Sequence, residues 1–147
     1  MERRTRKKSW QDKCDIVAAS FNRILRDRSN IFAKNFYNNL IYLNPKIEEY
    51  FKDTDFEHQQ RLLLVGLQYM IDYTDSDDEN AKKQIIRLAR VHSEKNLGIH
   101  PHHYYYWVEA LIMTLKKADK DWYDDMEFYW REVIYFPVTF FISQYYK

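Results

Sequence analysis

At 147 residues, 46% of them hydrophobic and 18% aromatic, the chain is sized for one compact domain and too apolar for disorder. Two glycines and three prolines are too few turn formers for an all-β domain, and a net charge of +1 leaves no overall field to attract nucleic acid or an anionic membrane. The lone cysteine, Cys14, excludes an internal disulfide and fits a reducing compartment.

The chain opens on a basic run, with Arg3, Arg4, Arg6, Lys7 and Lys8. No apolar signal core follows and no stretch reaches transmembrane length, so residues 1–10 are expected to form a solvated tail on a cytoplasmic protein. Ile16, Val17, Phe21, Ile24 and Leu25 then recur at helical spacing and predict a first amphipathic helix. Ser29-Asn30 suits the cap of a second, with Ile31, Phe32, Phe36 and Leu40 along one side. Asn44-Pro45 reads as the cap and first residue of a short helical turn ending near Phe51.

After a break at 53–55, Phe56, Leu63, Leu67, Met70 and Ile71 share one face of a long helix. The polar run 75–80 predicts a loop. Ile85, Leu88, Ala89 and His92 then fall at i, i+3, i+4 and i+7 of the next helix. Leu97-Gly98-Ile99 and Pro101 end it and open another, whose buried face is Tyr104, Trp107, Val108, Leu111, Ile112 and Leu115. A last helix is expected from Asp121, with Met126, Trp130, Val133, Phe140 and Phe141 inward and a kink or irregularity at Pro137. Six or seven helices of unequal length predict an all-α fold, argue against a simple four-helix bundle and allow a globin-like packing.

Of the five histidines, His92 alone lies on an apolar stripe. A buried imidazole needs partners, and the plainest role is a core histidine bonded to a carbonyl or a tyrosine. The alternative is an iron ligand, which takes one neutral imidazole late on a helix with its second nitrogen held by an acceptor. Leu88 and Ile99 would wall such a site, and Tyr104 would close its proximal side.

His100, His102 and His103 form a further cluster, but no cysteine or suitably spaced carboxylate completes a zinc or nickel site there. They are read as a solvated helix start. Cys14 lies far from any histidine in sequence and is read as structural. No Gly-rich phosphate loop and no nucleophile motif is present.

The segment Leu88-Ala89-Arg90-Val91-His92, with Leu97-Gly98-Ile99 and Pro101-His102-His103-Tyr104, resembles the proximal segment of bacterial single-domain globins and the globin domain of flavohaemoglobins. There the ligand histidine is followed by a small-apolar pair and a Pro-x-x-Tyr. The stretch from His92 to Tyr104 is somewhat longer here. Upstream, Phe36-Tyr37-Asn38-Asn39-Leu40, then Asn44-Pro45 and Phe51, is similar to the family's second helix and following corner. Asp55-Phe56-Glu57-His58-Gln59 resembles the start of the distal helix, and Trp130-Arg131-Glu132-Val133 with Pro137 the terminal one.

The resemblance covers residues 11–147 and implies a globin domain of six to seven helices packed three-over-three around haem b. It implies that His92 holds the iron, that Tyr37 faces the distal pocket, that Phe51 stacks on the porphyrin, that Gln59 faces the ligand, and that Leu63 forms the apolar distal wall. Periodicity alone leaves Gln59, Gln60 and His58 open for the distal position; family register favours Gln59. A phenol O–H or amide N–H aimed at a gas that gains negative charge slows its release, so dioxygen should benefit more than carbon monoxide.

Flavohaemoglobins carry a reductase domain and a late glutamate that bonds to the proximal pair. No acidic residue follows Glu132 here and no reductase segment is present, so turnover would draw on a separate reductase. A less anionic imidazole favours ligand binding or sensing over oxidative turnover, without excluding nitric oxide dioxygenation. The implied ligands are dioxygen, nitric oxide or carbon monoxide, with no nucleic-acid or membrane partner, in a monomer or homodimer. The other readings are a haem-based gas or redox sensor acting through a partner protein, and a haem-free globin-like interaction domain.

Overall fold

The computed structural model describes residues 7–147. Arg3, Arg4 and Arg6 of the basic run lie outside them, while Lys7 and Lys8 are exposed. Five α-helices and one 3-10 helix carry the chain, and no strand occurs among the described residues. They are α1 (Trp10–Leu43), the 3-10 helix Pro45–Phe51, α2 (Phe56–Asp72), α3 (Glu79–His92), α4 (His103–Ala118) and α5 (Met126–Ser143).

Ser9 starts α1 with a reciprocal capping box: its side chain accepts from the Asp12 N–H, and Asp12 accepts from the Ser9 N–H. Two helices were expected across the first 43 residues, with a cap at Ser29-Asn30. They run together, and the only interruption is a non-helical residue, Arg28, one position earlier. The resulting kink lets one face of each half turn inward. Val17, Phe21 and Ile24 are buried before it, and Phe32, Phe36, Tyr37 and Leu40 after it. Ile31, expected on that inner side, is instead 53% exposed, because the kink rotates the second half to bury Ala33.

Asn44 links α1 to the 3-10 helix through its backbone, donating to Leu40 and accepting from Ile47. It makes no side-chain cap. Asp55 caps α2, accepting from the Glu57 and His58 N–H groups, and Asp78 caps α3 through the Ala81 N–H. Glu79 and Asn80, assigned to the preceding loop, are therefore the first turn of α3. The last helix begins at Met126 rather than Asp121, since Asp119 ends α4 and the chain turns through Trp122 and Tyr123 first. It then runs through Pro137 as one helix. Pro137 has no N–H, so the Val133 carbonyl gives up its helical donor at that point.

The kinked α1 is the spine of the fold and packs on α4, α5, α2 and the 3-10 helix. Helix α3 packs on α2 and α5. A buried polar network locks α1 to the corner between α4 and α5. Asp119, 3% exposed, accepts from Ser20 and from both Nε and Nη2 of Arg23, while the Trp130 indole N–H donates to Ser20. Burial alone would raise the Asp119 pKa. The Arg23 guanidinium, with the Ser20 hydroxyl and the Asp121 N–H, more than reverses this and holds it below the usual carboxylate value.

Candidate functional site

The residues singled out from the sequence gather into two groups. The first is built on the second half of α1, the 3-10 helix and the start of α2. Tyr37 is buried at 3% exposure, and the Phe36, Phe51 and Phe56 rings meet its ring edge-on at 5.2, 5.3 and 5.5 Å. Gln59, one turn into α2, donates from Nε2 to the Tyr37 hydroxyl at 3.0 Å. Gln60 and His58 make no such bond among the described residues. The hydroxyl oxygen therefore acts as acceptor, and its own hydrogen has no acceptor among the described residues. Burial raises the Tyr37 pKa to about 12, only partly offset by Gln59, so the phenol stays protonated and remains a donor at neutral pH. Leu63, one turn beyond Gln59, is buried in the core.

The second group is built on the end of α3. His92 is its last residue. The Nδ1 atom lies 2.7 Å from the Leu88 carbonyl, one turn back. A carbonyl can only accept, so Nδ1 carries the proton and Nε2 is the lone-pair nitrogen of a neutral ring. Desolvation lowers the His92 pKa and outweighs the opposing pull of the Leu88 bond, which keeps the imidazole neutral. No hydrogen bond to Nε2 is made among the described residues.

The longer stretch after His92 folds back on the helix end. Leu97 N–H donates to Val91, Gly98 N–H to Ser93, and Ile99 N–H to the His92 carbonyl. This return is possible because Gly98 adopts φ +64°, a left-handed conformation that costs glycine little. Ile99 is thus tied to His92 through the backbone, and half-buried Leu88 flanks it one turn earlier.

Tyr104 does not touch the His92 ring directly. Phe141 of α5 stacks on both, at 6.0 Å and 26° from His92 and at 6.0 Å and 29° from Tyr104. The sequence marks Phe141 only as an inward residue and assigns Phe56 no site role. The Phe56 contact had one local signal, a position three residues before Gln59 on the same helix face. Phe141 had none, since it comes from an element 49 positions away. A third aromatic, Trp107 on α4, touches Phe36 at 5.5 Å.

His100, His102 and His103 lie ring against ring, with Nδ1 of His100 and His102 2.6 Å apart. No three metal-ligating side chains converge among the described residues, so the cluster is not a closed metal site.

A family model described as Globin matches residues 34–136, more than half the chain, including Tyr37, Gln59, His92 and Tyr104. The chain belongs to the globin family. No protein of curated function matches this globin in sequence. Among solved structures, it is similar to a protein of Pseudomonas aeruginosa PAO1 described as structurally highly homologous to a human hemoglobin. The identity is 26%, the TM-score 0.83, and the match covers 92% of this globin and 99% of the other chain. It is also similar in fold to shortfin mako (Isurus oxyrinchus) hemoglobin, at 17% identity and TM-score 0.73, covering 97% and 100%. The expected all-α globin fold is the fold observed, and the chain is a haem-binding globin. None of its helices is long and apolar enough to cross a membrane among the described residues.

The donor set fits haem. It pairs one neutral imidazole, whose Nδ1 is held and whose Nε2 is free, with a buried phenol that keeps a hydrogen to donate.

Proposed function

We propose that this globin holds haem b through His92 and reversibly binds dioxygen or another diatomic gas, with residues 11–147 as the haem-binding domain. The observation that carries the reading is the His92 imidazole, neutral, oriented by the Leu88 carbonyl and left with a lone-pair nitrogen that no other described residue engages. His92 would hold the haem, which when bound would supply the iron that takes up the gas. Phe51 and Leu63 are assigned to the porphyrin face on the distal side, and Leu88, Ile99 and Tyr104 to the proximal side. Tyr37 donates to the gas, and Gln59 donates to the Tyr37 oxygen, which leaves the phenol hydrogen without an acceptor among the described residues.

This reading favours storage or delivery of dioxygen in the cytoplasm. Nitric oxide or carbon monoxide would occupy the same place, and nitric oxide dioxygenation would need a separate reductase. The backbone carbonyl on Nδ1 is a neutral acceptor, so it polarises the imidazole less than a carboxylate would. The test is a visible spectrum of protein made with ample haem. The wild type should carry stoichiometric haem absorption, and His92→Ala should lose it. A colourless wild type, or a variant with an unchanged spectrum, overturns the assignment.

A further inference from the structure

Phe141 occupies a position that the ligand assignment alone does not explain. It is 6% exposed, and its ring is the shared, near-parallel neighbour of His92 and Tyr104. Both ring separations fall in the offset-stacked range that aromatic pairs favour. Pro137 and Val138, one turn before it on α5, are buried as well, so the backbone that carries the ring is anchored.

We propose that Phe141 is a positioning residue that fixes the rotation of the His92 ring and keeps other polar groups off its Nδ1. The inference rests on His92 holding the iron as proposed above. One hydrogen bond to Leu88 pins the imidazole at a single atom and leaves the ring free to rock about that bond. A parallel ring against its face removes that freedom. Tyr104 is buried, and its hydroxyl makes no hydrogen bond among the described residues. Phe141 is the apolar ring that neighbours both groups, and the Leu88 carbonyl is the one acceptor that Nδ1 has among the described residues. Because the partner on the second nitrogen sets the basicity of a ligating imidazole, residue 141 decides the electronic character of the proximal side without touching the metal.

The iron–histidine stretching band in the resonance Raman spectrum of the reduced haem protein reads this directly. Phe141→Leu keeps the site apolar but removes the stack, and should broaden the band. Phe141→Glu offers Nδ1 a charged acceptor, and should move the band to higher frequency. Phe141→Met serves as a second apolar variant, expected to broaden the band as Leu does, should Phe141→Glu fail to take up haem. An unchanged band in Phe141→Leu and Phe141→Met overturns the inference while leaving the ligand assignment intact. A wild type without the band overturns both.

Discussion

Gln59 and Tyr37, 22 residues apart in the chain, are joined by a 3.0 Å hydrogen bond in which the amide donates and the phenol oxygen accepts. The direction matters. A tyrosine that donated to Gln59 would have no hydrogen left for a gas ligand, whereas here the pair is arranged to present one.

Tyr37→Phe should therefore speed dioxygen release by roughly tenfold or more, the size expected for losing a hydrogen bond to a charge-bearing ligand. Carbon monoxide release should change far less. Gln59→Leu should give a smaller change in the same direction, because the phenol remains but is no longer held. Flash photolysis and stopped-flow mixing measure both rates, and equal effects on the two gases would contradict the donor role.

The His92 pKa is lowered by burial, so the folded state prefers the neutral ring. The unfolded chain binds the proton more tightly, and the stability tied to the neutral ring is present above about pH 6.5 and lost as pH falls through the lower folded value. His103 is depressed in the same sense, by burial first and then by its neighbours His102 and His100. Urea midpoints of the haem-free protein should fall between pH 7.5 and pH 5. His92→Gln should fall less steeply, with the remaining slope due to His103 and the carboxylates. An identical slope in the variant would show that His92 is not buried as a neutral ring.

Asp119, at the end of α4, accepts three hydrogen bonds from two side chains of α1, Ser20 and Arg23. Asp119→Ala would leave Arg23 without its bidentate partner and Ser20 without its acceptor. It should cost about 3 kcal/mol, the scale for breaking a largely buried pair from one side. The stability contributed by the depressed Asp119 pKa is present above about 3.8 and lost as pH falls through the folded value. Chemical denaturation at neutral pH checks the first statement, and a repeat near pH 3 should show a smaller gap between variant and wild type.

Gly98→Ala isolates the loop that returns to His92. The nearest atom to an added Cβ is the Glu94 carbonyl oxygen at 3.8 Å, an ordinary contact. The cost is therefore conformational, arising from φ +64°, and should be about 1 kcal/mol. A thermal melt should show the loss, and haem should dissociate faster because the Ile99 bond to the His92 carbonyl is strained.

The helices, their order and the singular position of His92 were legible in the sequence, because burial of one face of a helix imposes a period that any window of residues displays. Phe32, Phe36 and Leu40, or Ile85 and Ala89, betray their inward direction by spacing alone. The errors fall where neighbouring elements set the direction. Ile31 is turned outward by a kink at Arg28, and the chain before Met126 is drawn into a turn by the buried Asp119.

What the amino-acid sequence determines by itself is thus the set of helices and the few polar groups they carry on apolar faces. The tertiary structure decides which of those groups meet. Gln59, rather than Gln60 or His58, reaches Tyr37 because α2 crosses α1 at that turn, and Phe141 comes to lie against His92 because α5 returns across α3. No local pattern encodes either pairing, since each depends on helix packing over distances in sequence that periodicity does not span.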